Sequence, residues 1–180
     1  VLGGNHFMMN RMAHSGEMDD AEYEERNKRN KDIIWEEYKY IKAKCKNCLE
    51  VGAASNNGVD INQDGIEMPS VRVQGVTENM EIIEDKTIEV GRFLNASEVE
   101  RSAKVIVLGF DVKEKYFPNK NAIGEKLKIR GVPLTVVGIE EQKGSFLGQA
   151  MDRNVYIPIT LFFQLFGSTG GIQVHGKSAN

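Results

Sequence analysis

The chain has 180 residues, 41% of them hydrophobic and 27% charged, a globular composition long enough to remove roughly 70% of the unfolded surface from water. Its formal net charge of −3 gives no electrostatic reason to expect nucleic acid or an anionic membrane surface as a partner. Apolar runs such as VIVLGF and TLFFQLF fall far short of the ~18 to 20 residues that span a bilayer, so the stretch given reads as a soluble unit.

The opening VLGGNHFMMNRMAHSGE lacks the basic start and continuous apolar run of a signal peptide, so export would need a segment outside the one given. GEMDDAEYEERNKRNK follows, a block of charge with little apolar periodicity that reads as a solvated arm or an exposed helical lead-in. From Asp32 the pattern sharpens. Ile34, Tyr38, Ile41, Cys45 and Cys48 recur at spacings of four and three, while Glu36, Glu37, Lys39, Lys42 and Lys44 take the other face. This predicts an amphipathic helix with Asp32 as its N-cap.

Cys45 and Cys48 are the only cysteines. Helical residues three apart have Cα atoms ~5 Å apart, within disulfide reach. The same spacing serves redox enzymes and half of a zinc site. A zinc site needs four ligands, yet His6, His14 and His175 are scattered singly near the ends. A redox pair belongs at a helix start, where the dipole lowers a thiol pKa, and these fall at the end of a helical pattern. A structural disulfide or two buried thiols is the favoured reading.

LEVGAAS is a strand candidate, followed by the turn-rich stretch from Asn56 to Pro69, which is expected as a hinge or crossing point. Within it Asp60, Asn62, Asp64 and Gly65 match the first half of a calcium loop, but Val71 stands where the closing glutamate belongs. A Gln-Asp-Gly hairpin turn fits better. The triplet Asn95-Ala96-Ser97 is formally a glycosylation sequon, a pattern common by chance. Short strands then dominate: SVRVQGV, KTIEVG, KVIVLG, EKLKIRG, LTVVGIEE, NVYIPI and GIQVHG, with short helices at ENMEIIED, SEVERS, FDVKEKYF and TLFFQLFG. EKLKIRGVPLTVVGIEE alternates around Gly131-Val132 as a hairpin should. The class is α+β, with an antiparallel or mixed sheet expected to curl into a small barrel or sandwich.

Chemistry is sparse. VIVLGFDV has one glycine where a dinucleotide site needs three, and no Walker, GxSxG or HExxH sequence occurs. No histidine lies between His14 and His175, and the pairs Glu140-Glu141 and Asp19-Asp20 adjoin, so neither pair can share one side of a strand. The expectation is no enzyme, no cofactor and no metal. Two alternatives from other classes are a soluble CxxC thiol-disulfide protein and a small ligand-binding β-barrel. For the barrel, the aromatics in KYF and FFQLF read better as core.

Read together, VRVQGVTENM, IEVGRFLNASEVERSAKVIVLGFDVKEKYF, AIGEKLKIRGVPLTVVGIEEQKGSFLG and DRNVYIPITLFFQLFG resemble successive blocks of the MacB-like periplasmic core domain, the extracytoplasmic part of a class of ABC transporter permeases. Val73 and Gly75, Gly91-Arg92-Phe93, Val105 to Gly109, Ile123-Gly124, Val136-Val137-Gly138, and Asp152 with Tyr156-Ile157-Pro158 carry the resemblance, which covers Trp35 to Gly167. Gly75, Gly91, Arg92, Phe93, Gly109, Gly124, Gly138 and Pro158 read as folding residues, Arg92 with its head in water or paired to a nearby glutamate. Departures occur at Tyr116-Phe117-Pro118, where the family writes a phenylalanine-glycine pair, and at Ala122, which stands in a proline position.

The resemblance implies a porter-like β-α-β element interrupted by an inserted, strand-rich Sabre-like part. Residues 1–31 would be a charged membrane-proximal lead-in, with HFMMNRM at the membrane exit; 32–66 the first half of the porter-like part; 67–168 the Sabre-like insert; and 169–180 the strand re-entering the porter. A further helix and strand are expected after Asn180. The implied role is non-catalytic transmission of motion from a cytoplasmic ATPase, at the periplasmic face of the bacterial inner membrane. Implied partners are that ATPase, a sister permease domain and a periplasmic adaptor, with no nucleic acid.

Overall fold

The structure, a computed structural model, describes residues 5–11, 19–146, 149–168 and 171–179. In chain order the elements are β1 (His6–Met9), α1 (Asp20–Arg29), α2 (Trp35–Lys44), β2 (Cys48–Gln63), β3 (Ile66–Val76), α3 (Met80–Ile83), β4 (Ile88–Gly91), α4 (Ala96–Glu100) and β5 (Val105–Leu108). They continue with α5 (Phe110–Tyr116), β6 (Lys126–Ile129), β7 (Val132–Glu140), β8 (Ser145–Phe146), β9 (Gln149–Ala150), β10 (Asn154–Pro158), α6 (Ile159–Phe166) and β11 (Gln173–Ser178).

Nine strands form one mixed sheet in the order β1-β11-β2-β3-β10-β5-β7-β4, with β6 paired to β7. β3/β10 and β5/β7 are parallel, each pair needing a crossover; the other pairs are antiparallel. The expected barrel does not close, because the end strands β1 and β4 lie at opposite edges. Helices cover the faces instead. Along β5, Ile106 and Leu108 enter one core while Val107 enters another; along β10, Val155 and Ile157 enter the first and Tyr156 the second. This period-two alternation, apolar on both sides, belongs to a strand sandwiched between two layers. The larger core adds Val112, Tyr116 and Phe117 from α5 and its end, with Leu161 and Phe162 from α6. The second adds Met80 and Ile83 of α3 with Phe93 and Leu94. A third joins Tyr38 of α2 to Val51, Ala53 and Val174. Each fully buried Val, Leu or Ile contributes about 1.5–3 kcal/mol relative to leaving it in water.

The stretch read as a hinge is a long hairpin. β2 and β3 pair to within two residues of each other, Gln63 opposite Ile66, and Asp64 and Gly65 turn with φ of 53° and 75°. Positive φ at both central residues is the type I′ requirement, which Asp-Gly meets. Asp60 and Asn62 spend their side chains on this hairpin, Asp60 accepting from the Ser70 N–H and Asn62 donating to Glu67. Helix α2 starts at Trp35 with Ile34 at the N-cap, two residues later than expected. The Glu37 carboxylate accepts the Ile34 N–H at 3.0 Å, while Asp32 pairs with Arg11 at 3.1 Å and so does not cap. The charged lead-in holds α1, capped by Asp19 accepting from the Glu22 N–H. His6–Met9, unassigned from sequence, pairs with β11.

Candidate functional site

The family-motif residues fall mostly at close approaches of backbone. Gly91 and Gly138 face each other across β4 and β7. A Cβ at Gly91 would lie 2.3 Å from the Val137 carbonyl oxygen, and one at Gly138 2.1 Å from that of Arg92. Only residues lacking a Cβ fit both sides of this contact. A Cβ at Gly75 would lie 2.3 Å from Cβ of Phe162, so this glycine lets α6 sit on β3. Gly109 precedes α5 and gives its N–H to Asn154, Gly124 turns with φ of 86° into open space, and Pro158 ends β10 at the start of α6. Phe93 is buried with its ring edge-on to Tyr156, centroids 5.7 Å apart.

Arg92 pairs with Glu98 of α4 through two parallel bonds of 2.7 and 2.9 Å. Glu98 also accepts the Asn95 N–H while Asn95 accepts that of Glu98, a reciprocal cap. The hydrogen bonds from Arg92 hold the Glu98 carboxyl below the usual carboxylate range, against the opposing effect of burial. Cys45 and Cys48 are joined by a disulfide, Cα atoms 5.6 Å apart, linking the end of α2 to the start of β2. They sit at the negative end of the helix dipole, which disfavours a thiolate.

A polar constellation lies elsewhere, on the sheet face carrying alternate residues of β3 and β10. Register places Arg72 beside Asn154 and Gln74 beside Tyr156. These form the floor of a cleft of about 490 Å³, rimmed by Ser70, Glu84, Lys86, Lys143 and Arg153. At its base the Tyr156 hydroxyl donates to Glu140 at 2.9 Å and accepts from Lys86 at 3.1 Å and from Asn154 at 2.6 Å. Lys143 caps the other Glu140 oxygen, and Lys86 pairs with Glu84 at 2.5 Å. Burial, and then the Glu140 charge, push the Tyr156 phenol far above its ordinary value, so it stays a neutral donor. Asp152, buried, accepts the Lys143 and Gly144 N–H groups and fixes the loop after β7. Glu140 is buried and Glu141 exposed, the opposite sides expected of strand neighbours.

The sequence singled out none of Lys86, Lys143, Asn154 and Tyr156 as a polar cluster. Its one signal was Asn and Tyr two apart in the apolar strand NVYIPI. His6 and His175, read as scattered, stack with centroids 5.4 Å apart, His175 Nδ1 lying 3.3 Å from His6 Nε2. Burial lowers the His175 pKa from its ordinary value, opposed by Glu84 and aided by His6 and Lys86. Among the described residues no group of three or more His, Cys, Asp or Glu is placed to hold a metal ion, and no helix is long and apolar enough to cross a membrane. His14 lies outside the described residues.

The mixed sheet with helices on its faces defines an α+β domain. The sequence profile of the MacB-like periplasmic core domain matches residues 4–179, and the chain belongs to that family. It is 33% identical over 99 residues to a macrolide export ATP-binding/permease protein MacB of Bdellovibrio bacteriovorus, covering 54% of this chain and 15% of that protein. It is 31% identical over 109 residues to the MacB of Rhodospirillum rubrum, covering 59% and 17%. The chain thus spans about a sixth of the length of these relatives. The fold matches the periplasmic region of MacB from Actinobacillus actinomycetemcomitans with a TM-score of 0.76 at 19% identity, over 99% of this chain and 77% of that one. It also matches the extracellular domain of the ABC-type transporter YknZ from Gram-positive bacteria, TM-score 0.70 at 15% identity, covering 83% and 74%.

Proposed function

We propose that this domain is a non-catalytic, force-transmitting part of an ABC transporter permease, coupling cytoplasmic ATP hydrolysis to movement of substrate outside the inner membrane. The carrying observation is the family match over residues 4–179. In this reading the domain stands at the extracytoplasmic face between flanking membrane helices, through which it follows a cytoplasmic ATPase. It works against a sister permease domain and a periplasmic adaptor. In support, β1 and β11 are neighbours, His6 opposite Lys177, so the first and last strands of the described residues lie side by side in one sheet.

Within the same reading, 1–31 is the lead-in, 32–66 the first porter half, 67–168 the Sabre-like insert and 169–180 the returning strand. In support, β11 comes back after the insert to lie between β1 and β2. The glycines and Arg92 act as structural members, and the Cys45–Cys48 bridge as a staple.

The test uses the full-length gene product with alkaline phosphatase fused within this segment. Phosphatase activity is expected, and a signal from a cytoplasmic reporter alone defeats the proposal. Transport by the full-length protein should also fall when this domain is cross-linked to a sister copy, with ATP binding retained.

A further inference from the structure

His6 and His175 bring two ionisable rings together at the edge of the sheet. Register sets Met8 opposite His175 and His6 opposite Lys177, so these four side chains share one face. The rings stack, and a gap of 3.3 Å separates His175 Nδ1 from His6 Nε2. A neutral imidazole carries one N–H and one bare nitrogen, so the neutral pair fills this gap with a single proton. The outer nitrogens, His6 Nδ1 and His175 Nε2, are buried and have no hydrogen-bond partner. A first added proton therefore places a cation on a buried nitrogen that faces no acceptor, and a second sets N–H against N–H across the gap.

The charges on this face are already engaged. Glu84, whose charge reaches His175, pairs with Lys86 at 2.5 Å, and Lys86 adds a like charge of its own. Asp85 pairs with Lys177 at 3.1 Å. Glu50 of β2, opposite Lys177, accepts from the Asn79 amide at 2.9 Å. Helix α3 brings apolar Met80 and Ile83 to the same face, over Gly52. The element able to yield is β1. It has four residue pairs with β11, its Met8 and Met9 are exposed, and Phe7 rests on Gly176. β11 has β2 on its other side and buries Val174 in a core. Two residues beyond β1, Arg11 pairs with Asp32, which keeps a freed strand tethered.

We propose that the His6–His175 pair is an acid-sensitive clasp: protonation of the two rings releases β1 from β11 while the rest of the sheet stays folded. Release puts both rings in water, where each takes up its proton without a burial penalty. The released strand thus binds more protons than the docked one, and falling pH favours it. Burial already disfavours the His175 cation, and His6 and Lys86 add to that effect against Glu84. Opening bares the backbone edge of β11 and leaves β2, β3 and β10 paired as before. The clasp rests on the fold alone and is independent of the transmission role.

Amide hydrogen exchange of the 180-residue chain, read residue by residue by NMR and corrected for intrinsic rates, tests this between about pH 7.5 and about pH 5.5, a window above the ordinary carboxylate range. Protection across β1 is expected to fall about ten-fold for each proton taken up, given an ordinary histidine pKa of about 6.5. Strands β3 and β10 should stay far better protected than β1 at both ends of the window. His6→Gln, at the partly exposed ring, should shrink the fall about ten-fold, and His175→Gln, at the buried ring, should do the same. Should the buried change prevent folding, the His6 variant decides. Protection of β1 that does not change across the window overturns the proposal, as does a fall that keeps its full size in His6→Gln. Convergence of β1 with β3 and β10 on one common protection factor, the mark of global opening, overturns it too.

Discussion

Single side chains in this domain are held by charge pairs whose worth depends on pH. Glu98 is buried and held below its ordinary pKa by Arg92. Its contribution is therefore complete above the ordinary carboxylate range and is lost as pH falls through the lower folded value. Glu98→Gln should cost about 1–2 kcal/mol in urea unfolding at pH 7, and the gap to the parent should shrink toward pH 3. His175 has the opposite character. Its folded pKa is depressed, so the unfolded chain takes up a proton first, and stability should fall as pH drops below about 6.5. His6, Glu84 and Lys86 face it. His175→Gln should flatten the stability profile between pH 7 and 5, compared by thermal melts. Glycines separate by mechanism. Gly75→Ala drives a Cβ into Phe162 and should cost about 1–3 kcal/mol. Gly124→Ala meets nothing and suffers only its positive φ, so about 1 kcal/mol is expected. Denaturant midpoints of the two variants check the order.

At the level of elements, the sequence was most readable where pattern and local chemistry agreed. The strands of EKLKIRGVPLTVVGIEE, the Asp64-Gly65 turn and the Asn95-capped helix all lie where alternation and capping residues put them. The α2 start was missed because two acidic residues competed for it: the extended chain at Ile34 brought Glu37 back to the cap, and Asp32 had Arg11 in reach. Strand β1 left no local signal, since its four residues are defined by the partner β11 and by Phe7 packing on Gly176. The polar cleft was illegible for the same reason. Lys86, Lys143 and Tyr156 are far apart in sequence, and only the parallel crossover to β10 gathers them. The Cys45–Cys48 bridge closes a loop of separation 3, so chain entropy limits its effect to about 2 kcal/mol. Cys45→Ser with Cys48→Ser should lower the melting temperature modestly and leave the fold's circular dichroism intact.

Across the whole molecule, the barrel expectation failed on topology, a property that short strands in sequence do not reveal. Closure needs the first and last strands of the order to meet, whereas helices α3, α5 and α6 occupy the faces and leave β1 and β4 as separate edges. A sheet with edges keeps its terminal strands dependent on one neighbour each. Among the described strands β1 pairs with β11 alone and should be the first strand of the large sheet to exchange its amide hydrogens, measurable by hydrogen exchange, with β3, β10 and β5 the last. The same arrangement sets how a pull applied at His6 and Lys177 would be carried. His6 and Lys177 are opposite one another at one end of a four-residue antiparallel ladder. Tethers drawn together load that ladder end-on and lift the body as a unit. Tethers drawn apart open it like a zip fastener, one rung at a time.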